Sequence, residues 1–318
     1  MPSAYHAGQL EVQARAGVRA RARQLAGIVR PVIPPVAQAF LRDRRVVFLG
    51  SVEPNGRVWA SALAGPPGFA RAEDERTVRI DASPAPGDPL LDDVRATGRL
   101  GMLAIEFAAR RRMRLGGPAR VDGEGGLVLE TERVLANCPK YIQARDLDAE
   151  AAARRDSTPS PRRAPALSDR QRAWIEGADT FFVATAPPDG GADVSHRGGR
   201  PGFVRVEGPT RVVFPDYPGN NMFLTLGNIT ANPRAGLLFL DFEAGGTLQV
   251  TGRARVNWDP AAAAAFPGAQ RLVEFDVEEA LESALPRPLR WRFLGYSPFD
   301  PDPPHVASTG ESADGPSG

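Results

Sequence analysis

The sequence predicts a mainly β (α+β) protein built from two small antiparallel barrels in tandem, with a helical N-terminal arm and a linker between them. Three observations carry this. Val46–Phe69 (VVFLGSVEPNGRVWASALAGPPGF) returns without a gap as Thr180–Phe203 (TFFVATAPPDGGADVSHRGGRPGF), Ser61 standing against Ser195. A repeat spaced by well over a hundred residues is a duplicated domain, since solenoid units recur every 20–50 residues. Each copy then follows one order of short β-rich runs with a single helix before the late strands, and 33 glycines and 31 prolines supply the tight turns that such strands need.

The elements follow in order. Residues 1–38 form the arm: Leu10, Ala14, Val18, Leu25 and Ile28 recur at loosely helical spacing until Pro31, Pro34 and Pro35 stop the pattern. The arm is expected to lie on the first domain. Residues 39–140 form barrel one, opening with a hairpin whose turn is Glu53-Pro54-Asn55-Gly56. Strands over Thr77–Asp81 and Leu100–Phe107 flank a short helix from Pro89 to Ala96, and Arg110–Val121 closes the unit. Residues 141–170 read as a helical piece running into a flexible linker, with Ser168 as N-cap of a helix through Ile175. Barrel two, residues 171–300, repeats the order with its helix near Met222–Thr230. One residue is inserted after that helix, so that Gly101 matches Gly236 and Gly117 matches Gly252. The polar tail, 301–318, reads as disordered.

Composition narrows the function. Thirty-nine basic against 38 acidic residues leave a net charge of +1, which gives no global field for nucleic acid or a membrane surface, so any anion site is local. The single cysteine, Cys138, permits no internal disulfide and reads as a packed small hydrophobe. With no leader-like or membrane-length apolar run, the expected location is the cytoplasm. There is no G-x-G-x-x-G, P-loop, G-x-S-x-G or metal-spaced histidine pair.

Three constellations could carry chemistry. Ser195-His196-Arg197-Gly198-Gly199-Arg200 leaves a strand through a glycine-rich bend, where backbone amides and forked guanidinium donors suit a phosphate. The alternative is a solvated basic turn, and His196 is a ligand donor or only a turn residue. Copy one keeps Ser61, Gly65, Gly68 and Phe69 but has Ala62 and Leu63 in place of His196 and Arg197. What both copies share is what the barrel needs; what one copy adds is a candidate site. The second constellation, Asp216 to Ile229, opens a helix with Gly219-Asn220-Asn221 and places Thr225 and Asn228 one turn on, near the positive end of the helix dipole. Asn220 or Asn221 as a plain N-cap is the alternative. The third is Arg110–Arg114, where Arg110, Arg112 and Arg114 would share a strand face, toward a ligand, the other domain or solvent. Trp59 and Trp291 are core residues or ring partners.

These segments resemble the pyridoxamine 5′-phosphate oxidase-like family of FMN-binding split β-barrels. The resemblance rests on SHRGGRPGFVRV (195–206), DYPGNNMFLTLGNITANPRAGLLFLDF (216–242), RRRMRLGGPARV (110–121) and NCPKYIQ (137–143). It implies two split barrels forming an intrachain pseudo-dimer with FMN in the cleft between them. On matching positions Ser195, His196, Arg197, Arg205, Asn220, Asn221, Thr225 and Asn228 become cofactor contacts, with Arg112 reaching in from the other barrel. The vitamin oxidase's Ser-Arg-Lys phosphate signature is replaced by Phe223-Leu224-Thr225, so pyridoxamine phosphate is not the expected substrate. The start, YHAGQLEVQARAGV, resembles tandem-barrel proteins, some of which continue into a ferredoxin-reductase module. The implied activity is FMN-dependent oxidoreduction of an unidentified small molecule, with NAD(P)H or a partner reductase as electron source and a homodimer as the assembly. Alternatives are a non-catalytic flavin carrier or sensor, a deazaflavin- or haem-using relative, and an interaction scaffold. No catalytic residue stands out, as expected where a cofactor does the chemistry.

Overall fold

The computed structural model describes residues 5–302 apart from 124, 138, 149–159, 189 and 288. The expectations for Cys138 and for the tail beyond Asp302 lie outside the described residues, as does the middle of the linker. Two eight-stranded antiparallel sheets carry the molecule, and their orders are copies of one another. Barrel one runs β2(Val58–Ala64), β1(Val46–Val52), β5(Arg99–Glu106), β6(Arg111–Val121), β7(Leu127–Glu130), β4(Thr77–Ile80), β3(Ala70–Ala72), with β8(Arg133–Asn137) also paired to β6. Barrel two runs β12(Asp193–Gly198), β11(Thr180–Thr185), β15(Arg234–Leu240), β16(Gly246–Asn257), β17(Arg271–Ala284), β14(Arg211–Asp216), β13(Arg205–Val206), with β10(Arg162–Ala164) paired to β17. Register is duplicated too: Ser61 opposes Leu49 as Ser195 opposes Val183, and Arg114 opposes Leu103 as Gln249 opposes Leu238.

Each barrel encloses its own apolar core, and a third core joins them, as expected when strands that alternate inward and outward bury both faces. At the centre of the third, the equivalent rings of Phe48 and Phe182 stack at 3.5 Å and 14°, a residue meeting its own counterpart as on a twofold axis. Gly101 lies against the Ala192 carbonyl and Gly236 against that of Val58, so that a Cβ at either would strike the opposing backbone. That close approach is why these glycines match between the copies. Trp59 and Trp291 are both buried core residues, Trp59 Nε1 donating to Glu53 Oε1 at 2.6 Å.

The arm meets barrel one, as expected, through Arg30 and Ile33, but its first helix lies elsewhere. The arm is broken into α1(Ala7–Arg15), α2(Arg19–Leu25) and a short 3-10 turn at Ala26–Ile28, and α1 packs along α6(Leu224–Ala231) of barrel two. Tyr5 and Ala22 share a small core with Leu135 of barrel one and Met222 of barrel two, so the arm straddles both copies. Pro35 then starts α3(Pro35–Arg42) at its first position, where a missing N–H does no harm. Among the described residues the linker carries strand: β9(Ala144–Asp148) pairs with β18(Arg290–Gly295), and β10 extends the second sheet. Ser168 caps α5(Asp169–Gly177) with a reciprocal bond from Gln171, as the sequence predicts. The remaining helices among the described residues are α4(Leu90–Thr97) in barrel one and α7(Pro260–Ala264). No helix among the described residues is long and apolar enough to cross a membrane.

Barrel one also buries Asp93 on α4, 2 % exposed, accepting from the Ser51 hydroxyl at 2.6 Å. Burial above all, with Glu53, Asp88 and Asp92 adding to it, pushes this carboxyl up to about 7. A carboxyl raised in the folded state favours folding while it is protonated, below its unfolded value near 3.8, and that contribution is lost as pH climbs through 7. Asp93→Asn is therefore expected to stabilise the fold by roughly 2 kcal/mol at pH 8 and hardly at all at pH 4. Urea unfolding at both pH values checks this; equal effects would show that the carboxyl is not strained when ionised.

Candidate functional site

A cleft between the barrels gathers three segments. The end of β12 supplies Ser195, His196, Arg197 and Gly198; the segment from β14 to α6 supplies Asp216, Tyr217, Gly219 to Asn221 and Phe223 to Thr225; and barrel one sends in Arg112 and Arg114 from β6, with Lys140 and Tyr141 beyond β8. Four cations face one carboxylate among these lining residues, so the cleft is a local anion-attracting field in a nearly neutral chain.

Strand alternation divides the work within β12. His196 points toward barrel one, edge-on to Phe182 at 5.8 Å, and its Nδ1 lies 2.9 Å from Arg112 Nη1. A guanidinium only donates, so Nδ1 accepts and the ring proton resides on Nε2. The ring is 4 % exposed, and Nε2 is buried with no hydrogen-bond partner. Burial, and then Arg112, Arg197 and Arg145, hold the imidazole well below its usual pKa, so it is a neutral donor. On the other face, Ser195 and Thr225 link their hydroxyls at 3.1 Å, joining the strand to the first turn of α6. The Arg197 guanidinium feels Asp216, but its Nε is buried and unbonded. Asp216 also faces Arg271 at 3.5 Å; burial raises its pKa while both arginines pull it down. Arg114 donates to Asp193 at 3.1 Å and so ties β6 to the start of β12.

Backbone strain gathers at the same place. Of the four non-glycine residues with left-handed φ among the described residues, Tyr141, Asn221 and Phe223 line this cleft. Asn220 holds the loop by accepting from the Met222 amide at 3.1 Å. Tyr141 donates from its hydroxyl to the Pro218 carbonyl at 3.0 Å and packs its ring, tilted by 31°, at 5.1 Å from that of Tyr217. Its own carbonyl abuts Gly198, where any Cβ would collide with it.

The structure brings Ser195, His196, Arg197, Asn220, Asn221, Thr225 and Arg112 together. It places two expected contacts elsewhere. Arg205, beyond the Pro201-Gly202 turn, stacks at 3.9 Å over Phe266 and donates to the Ala265 carbonyl at 2.5 Å on the barrel's outer edge. Asn228 turns toward the arm: it donates to Thr185 at 2.9 Å, and its carbonyl lies 2.8 Å from His6 Nε2. Its role here is to seat α1. Arg200 is exposed and lies over Tyr296, not in the cleft. Arg110 also leaves the expected face: it sits in a left-handed turn and donates to the Ile142, Gly295 and Tyr296 carbonyls. Lys140, Tyr141, Tyr217 and Phe223 are lining residues that repeat comparison could not find, because they lie outside the duplicated stretch or are simply aromatic.

Fold and cleft together define a tandem split-barrel protein with a cation-lined cleft between fused halves. The model of the pyridoxamine 5′-phosphate oxidase family matches residues 33–156 and again 167–287, and the chain belongs to that family. No curated protein matches the chain. Solved structures similar to it include a putative pyridoxamine 5′-phosphate oxidase from Lactobacillus delbrueckii, 20% identical, covering 37% of this chain and 94% of its own, TM-score 0.31. An FAD-binding protein from Mycobacterium smegmatis is 17% identical over 38% of this chain and 98% of its own, TM-score 0.27. An FMN-binding protein from Syntrophomonas wolfei is 12% identical over 36% and 85%, TM-score 0.26.

Proposed function

We propose that this protein is a flavoprotein that binds FMN in the inter-barrel cleft and acts as an FMN-dependent oxidoreductase on a small molecule. The observation that carries the reading is the pair of buried, unsatisfied donors, His196 Nε2 and Arg197 Nε, in a cationic cleft. Buried donors of this kind destabilise a fold by about 1–3 kcal/mol each unless a ligand accepts from them. A phosphate on one side and a ring bearing acceptor atoms on the other would satisfy both. When bound, FMN supplies the hydride and electron chemistry.

The chain's own residues bind and orient. Arg197, the Ser195–Thr225 hydroxyl pair and the start of α6 hold the anionic end. His196, kept by Arg112 with its proton on Nε2, donates to a ring acceptor. Tyr141, Tyr217 and Phe223 wall the cleft and limit water. NADH, NADPH or a partner reductase would supply electrons. Because both halves of the cleft come from one chain, a second chain is not needed to complete it.

Titrating the purified protein with FMN should give a saturable change in flavin absorbance and quench its fluorescence. Absence of binding overturns the reading. Tight binding with no reduction by NADH, NADPH or a reductase would instead identify a carrier, and preference for a deazaflavin or haem would move the protein to that branch.

A further inference from the structure

The pseudo-twofold that builds the cleft should build a second one on the other side, lined by Ser61 for Ser195, Gln249 for Arg114 and α4 for α6. There the chain has placed a carboxylate. Asp88 Oδ1 accepts from the Ser61 hydroxyl at 2.8 Å and from the Leu90 amide, in the first turn of α4, at 3.0 Å. Oδ2 accepts from Gln249 Nε2 at 3.0 Å, and the same amide group reaches the Ala60 carbonyl at 2.9 Å. A strand residue of one barrel, a strand residue of the other and a helix N-terminus thus converge on one anion, as they converge on the open cleft opposite. Arg163 of β10 closes the mouth, donating to the Gly87 carbonyl at 2.6 Å and pairing with Glu279. Burial raises the Asp88 carboxyl to about 6, with Leu90, Ser61, Gln249 and Arg163 opposing, so it is ionised at pH 7.5.

The open side differs at the matching loop position. Met222 stands where Asp88 would, and left-handed turns at Asn221 and Phe223 direct it away from the cleft into the small core made with Tyr5 and Leu135. Gln13 of the arm fixes that path by donating to the Met222 carbonyl at 3.0 Å. One loop fills its cleft and the other is held out of it.

We infer that the second inter-barrel cleft is an anion site occupied by the chain's own Asp88 carboxylate. Each chain therefore holds one anionic ligand, not two, and shortening Asp88 opens a site for a small free carboxylate. The stoichiometry rests on the flavin reading above; the carboxylate site does not.

Two measurements test this at pH 7.5. Equilibrium dialysis of the full chain with FMN should give one FMN per chain. Asp88→Ala should lower Tm, and formate should restore about 2 °C at ten times its dissociation constant, with no such effect of chloride at equal ionic strength or of formate on wild type. If Asp88→Ala does not fold, Asp88→Ser is read in the same way. Two FMN per chain, or a folded variant that formate does not stabilise, overturns the inference. Formate rescue with no FMN binding upholds the filled cleft and overturns only the flavin reading.

Discussion

Arg197→Ala is expected to raise the FMN dissociation constant about 100-fold. A charge-assisted hydrogen bond to a phosphate contributes about 1.5–3 kcal/mol, and here the guanidinium is largely withdrawn from water, which strengthens it. A second effect acts in the same direction. Arg197 and Arg271 together balance Asp216, and without Arg197 an incompletely neutralised carboxylate would face the ligand anion. The two effects separate in the double variant Arg197→Ala/Asp216→Asn. If Arg197 touches the ligand, removing the carboxylate recovers only a small part of the loss. Full recovery would mean that Arg197 serves Asp216 alone, and an unchanged constant in the single variant would place the anion elsewhere. Arg197→Lys, which keeps charge without the planar fork, is expected to fall between wild type and alanine.

Why the sequence revealed the barrels more fully than the site follows from how each is encoded. A barrel is specified by local alternation and turn residues, and duplication printed that pattern twice. Gly199, for example, lies beneath the Phe203 ring as Gly65 lies beneath Phe69, leaving no room for a Cβ in either copy, so the spacing of the two residues survives in both. The differences between copies then led to His196 and Arg197, beside the serine that both copies share. Tertiary direction was not legible in that way. Asn228 follows Thr225 by three helical positions and shares its polar character, but only the course of α1, unknown from its own weak periodicity, determines that Asn228 faces His6. Arg205 sits two residues past Phe203 within a family motif, and beyond the Pro201-Gly202 turn the chain carries it to the outer edge. The sequence places the arm on barrel one, and Arg30 and Ile33 do meet that barrel, but Gln9 and Gln13 reach barrel two, 200 or so residues on. Tyr141 enters through a positive φ that no sequence pattern announces.

The duplicated interface yields the other large effect, because its two halves are alike in structure but not in function. Phe48→Ala and Phe182→Ala each remove one ring of the stacked pair at the pseudo-twofold, both fully buried, and each is expected to destabilise the fold by about 3–5 kcal/mol. The double variant should lose clearly less than the two single losses together, since the second ring has already lost its partner. Ligand affinity should separate them. Phe182 also supports the His196 ring edge-on, whereas Ala62 takes the place of His196 beside Phe48. Phe182→Ala therefore frees the imidazole to leave Arg112 and should weaken FMN binding about tenfold, while Phe48→Ala should leave affinity within about twofold where the protein remains folded. Urea unfolding monitored by circular dichroism gives the first comparison and flavin titration the second. Equal losses of affinity would mean that the interface acts on the cleft only through overall stability. Unequal losses at matched stability would show that packing on the axis reaches the ligand through His196, the residue that one copy carries and the other does not.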